Sequence, residues 1–258
     1  MTMPLLADFA VLLAGGLAVA LPTVSAREVP PAFFRTICLV ILGLLVLAVL
    51  NLAGSEAEPW GIWLAGGASG LAFLASVAWG LGLPRVALPL TVLIVLASGV
   101  LIGATAQAST TELWVLNGLG RGTSAGLMGS ALTAMLLGHH YLTAPAMSID
   151  PLRRLVRITG VALVLRTLLA LLALWFWFAS EGLESTRSAV GDDVPTLFLA
   201  MRWAMGLAVP ALATFLTWET VRLRSTQSAT GILYIGVALL LVGELTALIL
   251  SHRVGIVF

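Results

Sequence analysis

The chain has no lysine: all 13 of its basic side chains are arginines. It has one cysteine, Cys38, which excludes a disulfide within the chain and any cysteine-based metal or iron–sulfur centre. A redox centre would have to come from histidine, methionine or a bound organic cofactor. Charged residues are only 10% of the 258 positions and form no basic runs with interleaved aromatics, which argues against a nucleic-acid partner. There is no low-complexity tract, and no stretch between the apolar runs is long enough for a second domain, so a single domain is expected over 1–258. The apolar runs lack the alternating ten-residue pattern of an outer-membrane barrel. No serine, aspartate or histidine set falls at a shared depth, so no hydrolase signature is present and no catalytic residue is assigned.

What the chain has is hydrophobic length. Sixty per cent of it is hydrophobic and its mean hydropathy is +1.07, the signature of a polytopic membrane protein. Runs of about 20 residues, enough to cross roughly 30 Å of hydrocarbon as helix, fall near 4–24, 32–53, 60–81, 86–106, 122–142, 156–179, 195–218 and 229–252. Lipid offers the backbone no hydrogen-bond partner, so an all-α bundle of eight transmembrane helices is expected. The first run ends in Thr23-Val24-Ser25-Ala26, which resembles a cleavage site. It is preceded by MTMPLLADF, which has no positive charge and contains Asp8, and is followed by Arg27, so it reads as an uncleaved span entering from outside.

Orientation follows from arginine placement, because positive loops stay on the cytoplasmic side. Arg27, Arg35, Arg85, Arg153, Arg154, Arg157, Arg222 and Arg224 share one side. The other side holds Arg121, Arg187 and Arg253 with Glu56, Glu58, Glu112, Glu181, Glu184, Asp192 and Asp193, so both termini are expected outside, in the periplasm of a bacterial cell, with the chain in the inner membrane. Trp60, Trp63, Trp114, Trp175, Trp177 and Trp203 fall near that outer interface, as an aromatic belt would. The arginine-rich inner rim suits anionic lipid headgroups. The two longest outward segments, 107–121 and 180–194, are expected to be solvated connections, with capping a site or docking a periplasmic subunit as the alternative.

Arg166, Arg202 and Glu244 lie inside the last three runs, where an ionised side chain must be paired, hydrated or used. At about 1.5 Å per residue, Arg202 and Glu244 fall at matching depth, roughly 10 and 12 Å below the outer surface on sequential antiparallel helices. An Arg202–Glu244 ion pair is therefore expected, with Arg166 reaching the same layer along its own stem. Two readings stay open: a structural pair joining the last three helices, or a ligand-binding or proton-relay site. Two arginines against one carboxylate leave a surplus positive charge, which Asp8 would balance if the first helix packs alongside.

A second group sits at the inner end of the fifth run, where Gly138-His139-His140-Tyr141 precedes Pro145, Met147 and Asp150. Adjacent helical residues point about 100° apart, so His139 and His140 cannot grip one metal from one face. His252 is a membrane thickness away, so bis-histidine haem ligation is not available; a haem b, a quinone, a protonatable role and simple interfacial hydrogen bonding remain as readings of the pair. Gly122, Gly126, Ser130, Ala134 and Gly138 recur at every fourth position as a ridge for close helix packing or for a flat ring, echoed by Gly66 and Gly70. The polar stretch from Thr217 through Glu219, Arg222, Arg224, Ser225, Thr226, Gln227 and Ser228 to Tyr234 reads as helix capping and positive-inside charge, or as a weak anion site at a helix start.

Eight helices with both termini outside, few charges and no cysteine motif resemble the membrane-anchor subunits of bacterial quinone-linked oxidoreductases, of the NrfD, PsrC and DmsC type. The resemblance lies in length and topology and carries no site residue over. It implies a non-catalytic integral subunit of a respiratory or other redox complex, exchanging electrons between quinone and a separate membrane or periplasmic subunit. The alternatives are a small transporter or proton- or ion-conducting protein using Arg166, Arg202 and Glu244, and a purely structural or assembly subunit. Against transport stand the lack of an inverted repeat and the scarcity of helix-interrupting prolines, Pro210 being the clearest.

Overall fold

A computed structural model of the chain describes residues 3–56, 58–106, 111–144, 147–192 and 196–254; of 111–113, 143, 176–192, 196, 253 and 254 it describes the backbone alone. Among them there is helix and no strand. The helices are α1 (Leu5–Ala20), α2 (Pro31–Ala53), α3 (Pro59–Gly80), α4 (Pro84–Thr105), α5 (Thr111–Thr143), α6 (Asp150–Asp192), α7 (Thr196–Trp203), α8 (Val209–Arg222) and α9 (Thr226–Val254). A 3₁₀ turn, Leu21–Thr23, extends α1, and a π-helical turn, Ala204–Ala208, joins α7 to α8 in one rod, which makes eight rods in all. Their limits follow local chemistry. Pro31, Pro59 and Pro84 open α2, α3 and α4, at the position where a missing N–H costs nothing. Gly82 (φ 69°) turns the chain between α3 and α4, and Arg224 takes the same left-handed conformation (φ 56°) between α8 and α9.

Seven of the rods are long and apolar enough to cross a membrane: Leu5–Thr23, Pro31–Ala53, Pro59–Gly80, Pro84–Thr105, Asp150–Trp175, Leu197–Arg222 and Thr226–His252. The expectation of eight apolar runs needs correcting at α5. This helix is 33 residues long and begins well before residue 122, taking in Asn117 and Arg121 as well as Ser124, Ser130 and Thr133. It tolerates them because α1, α6 and α9 pack around it, so its polar side chains meet other helices. The two expected outward connections are corrected too. From 111 to 121 the chain is already α5, and α6 continues as helix to Asp192. Residues 107–110, Pro145 and Asp193, and the side chains of Glu112, Trp177, Glu181, Glu184, Arg187, Asp192 and Arg253, lie outside what is described.

Helix α1 is the most enclosed of the seven, with α2, α4, α5 and α9 around it. Its crossing with α5 is backbone on backbone: a Cβ on Gly16 would overlap the Ala125 carbonyl, and one on Gly129 would overlap the backbone of Gly16 and Leu17. The expected ridge of small residues therefore works differently from its spacing. A Cβ on Gly122 or Gly126 would meet nothing, whereas Gly138, at the far end, sits against Thr230 of α9. Gly66 and Gly70 also face open space. Phe34 and Trp79 stack at 4.2 Å between α2 and α3. The outward faces of α2, α3, α4 and α6 carry exposed Leu, Val and Phe, and Trp60, Trp63, Trp114 and Trp175 are exposed as well.

Candidate functional site

Asp8, near the start of α1, meets His252, near the end of α9, so the two ends of the chain lie at one end of the bundle. The buried charges gather in the half of the bundle nearest that end. The antiparallel α7–α8 rod and α9 bring Arg202, early in the first, level with Glu244, late in the second, at 1.5 Å of rise per residue. Arg202 Nη1 donates to Glu244 Oε1 at 3.0 Å. Arg166 of α6 donates through Nε and Nη2 to Oε2, each at 3.4 Å, and Ser124 of α5 donates to the same oxygen at 2.5 Å. Three helices thus converge on a carboxylate carried by a fourth. Both arginine side chains and that of Glu244 are only 1% exposed, so this interaction is almost unscreened by water.

The π turn lies immediately after Arg202. Its i→i+5 register is seen in the Val209 N–H bonding the Ala204 carbonyl, and in that register the next carbonyl, of Met205, faces Pro210, which has no N–H. Gly206, inside the turn, lies against Gly243, the neighbour of Glu244, and beside the Arg202 guanidinium; a Cβ on Gly243 would collide with the Gly206 backbone, and one on Gly206 would collide with Arg202 Nη1. The two missing side chains let α7 and α9 approach closely enough for the arginine to reach the carboxylate. Arg202 uses only Nη1. Its Nε and Nη2, the side-on edge that ordinarily grips a carboxylate in a bidentate pair, have no partner among the described residues. Buried donors left so are costly, about 1–3 kcal/mol each.

A second cluster lies closer to the chain ends. Asp8 pairs with Arg121 of α5, and its other oxygen is 3.1 Å from His252 Nε2. Asp8 is buried, and His252, 37% exposed at its side chain, borders the surface. Asp8 therefore does lie on a helix beside the cluster, but its charge goes to Arg121 rather than to Arg166 or Arg202. Among the described side chains of the two clusters, three arginines face two carboxylates. A cavity joins the clusters, lined by Arg121, Ser124, Arg166, Glu244 and Ser251, with about 10 Å³ open to the centre of a water molecule. That is room for about one water. One helical turn further along α5, Leu127 borders a second cavity of about 20 Å³, where the buried Thr159 hydroxyl faces Pro210 and Thr214 and has no partner among the described residues.

The histidine pair sits at the opposite end. His139 meets Tyr234 of α9 edge-on at 6.2 Å, whereas His140 lies 6.1 Å from Phe33 of α2, so the two rings diverge as their helical spacing requires. With His252 at the other end of the bundle, no two histidines face one another across a haem plane, and these residues do not fit a bis-histidine haem. Tyr141 donates to the Ser148 carbonyl and so folds the α5–α6 connection. The polar stretch between α8 and α9 is used locally. Glu219 pairs with Arg222 at 3.1 Å, Ser225 bonds Ser228 at 3.0 Å, and Thr217 bonds back to the Ala213 carbonyl at 2.7 Å.

Three contributors carry no obvious mark in the sequence. Arg121 falls just before the apolar run that begins near 122, where it counts as a rim charge. Ser124 is one hydroxyl in a helix of small residues, and His252 looks like a surface residue. Asp8 was the available signal: a lone carboxylate inside a first helix needs a cation, and Arg121 is the nearest arginine outside the inner rim. No family model, no curated protein and no solved structure matches the chain, which leaves its own residues as the guide to its chemistry.

Proposed function

We propose that the chain is a multi-pass protein of the bacterial cytoplasmic membrane, both termini outside, that conducts or transports a small ion, with Glu244, Arg166 and Arg202 as the centre of its path. The observation that carries this is the meeting of α5, α6 and α7 on Glu244 of α9, with part of the Arg202 guanidinium left without a partner among the described residues. The π turn and Pro210 beside Arg202 add support, since interrupted helices at a buried charge are how many transporters build their sites. Orientation is supported by the eight arginines expected on one rim and by the tryptophans near the other. Apolar outer faces make the lipid bilayer the first partner.

The test is flux. In proteoliposomes with an imposed ion or pH gradient, the wild type is expected to dissipate the gradient, with Arg202→Gln and Glu244→Gln reducing the rate at least tenfold, equivalent to about 1.4 kcal/mol on the barrier. Flux unchanged in both variants would sink the reading. The same preparation tests the redox-subunit expectation, which rests on length and topology. A haem band, or one quinone per chain on solvent extraction, would replace transport with electron transfer.

A further inference from the structure

Glu244 is held as an external carboxylate would be held. Its two oxygens are served separately, Oε1 by Arg202 and Oε2 by Arg166 and Ser124, at 3.0, 3.4 and 2.5 Å. Arg202 meets it end-on and keeps its bidentate edge, Nε and Nη2, without a partner among the described residues. A planar oxyanion bound on that edge would satisfy both donors, in the geometry guanidinium groups prefer. The cavity bordered by Arg121, Ser124 and Ser251 lies against the Glu244 carboxylate and holds about one water, so one carboxylate oxygen can turn into it if Arg202 is taken by another anion. Arg121, whose Nε has no partner among the described residues, borders that same cavity and would receive it. The π turn, which begins two residues after Arg202, and the Gly206–Gly243 contact place Arg202 beside a change in the hydrogen-bond register of its rod.

We propose that Arg202 and Arg166 form the binding site for a small carboxylate, of formate or acetate size, and that Glu244 is its internal stand-in, occupying the arginines whenever the anion is absent. The size limit follows from the space: the ligand takes the place of one carboxylate, and the cavity adds no more than a water. Charge sets the class, because the donors around the site are guanidinium N–H groups and one hydroxyl. A neutral amide of the same shape gains little there. The inference rests on the transport reading for its purpose and not for its chemistry, so the two can fail separately.

The test uses the full chain in lipid nanodiscs, titrated calorimetrically with sodium formate and sodium acetate at constant ionic strength, with acetamide as the neutral isostere. Glu244→Gln removes the competing charge and is expected to bind formate roughly tenfold more tightly than the wild type, a gain of the size expected when an internal competitor is lost. Glu244→Asp, which keeps the charge but draws it back by one methylene, is expected to fall between them, and it stands in if the glutamine variant does not fold. Glu244→Gln with Arg202→Gln is expected to return to wild-type affinity or weaker. Equal affinity in wild type and both single variants overturns the proposal. So does acetamide binding as well as acetate, or binding that survives loss of Arg202. Carboxylate binding that follows the expected order in a protein carrying no flux leaves the site standing and removes the transport reading. Flux that needs Glu244, with no carboxylate bound, does the reverse.

Discussion

Helices α2–α4 and helices α6–α9 solve the same problem, buried polar atoms in an apolar bundle, in two different ways. In α2–α4 three buried hydroxyls turn back on their own helices, Ser69 to the Ala65 carbonyl at 2.8 Å, Ser76 to Phe73 at 2.7 Å and Thr91 to Ala87 at 2.9 Å, while Ser98 Oγ and Trp79 Nε1 have no partner among the described residues. No described side-chain hydrogen bond passes from one of these helices to another. They are joined by alanines, leucines and the Phe34–Trp79 stack. In α6–α9 the cross-helix side-chain hydrogen bonds described above from α6 and α7 end on Glu244, and the apolar cluster around them is small. The first arrangement keeps its polar atoms within single helices and, among the described residues, holds no buried charge. The second ties helices together through a charge that another anion can replace. The α1–α5 crossing is the seam between them, and it carries both a backbone contact and the Asp8–Arg121 pair.

The comparison can be broken most forcefully at that seam. Gly16→Leu drives a side chain into the α5 backbone, and no monodisperse folded protein is expected on size-exclusion chromatography; recovery of a stable protein would show that the crossing yields. Next in size, Glu244→Leu leaves two buried arginines without their carboxylate, and a loss of about 3–5 kcal/mol is expected in denaturant unfolding. The triple change Arg166→Met, Arg202→Met, Glu244→Leu turns this region into the kind of packing seen in α2–α4. It is expected to recover most of that stability while ion flux stays absent. A triple variant no more stable than the single one would mean the two regions do not differ as described. Ser124→Ala removes one hydrogen bond to a charge and is expected to cost about 1.5–3 kcal/mol by the same unfolding measurement. Smallest of all, Ser76→Ala touches only its own helix, and a change of about 0.6 kcal/mol or less is expected.

Much of the bundle could be read from residue order because hydrophobic length and helical rise are local quantities. They place the apolar runs to within a few residues at most ends, and they set Arg202 level with Glu244. What they miss depends on neighbours. α5 is polar because other helices enclose it, a property of tertiary packing that a hydropathy window cannot register. Arg121 was cut off by that same window, so the destination of Asp8 stayed hidden. The π turn is visible only as Pro210 and Gly206, two residues with many other uses in helices. Spacing correctly separated His139 from His140 and both from His252, since angles along one helix and distances along a rod do not depend on what surrounds them.

The sequence distance inside the charge cluster has a consequence for how the protein is made. Arg166 and Arg202 precede Glu244 by 78 and 42 residues, so both leave the ribosome well before the carboxylate that neutralises them. Until α9 arrives, the nascent chain carries two cations in its apolar helices without the carboxylate they share in the finished bundle. Insertion must therefore shelter α6 and α7 from lipid, by delaying their release or by holding them against another protein. A message truncated before codon 244 yields a product that can never complete its interior, and quality-control proteases have a ready means of telling it from the finished chain.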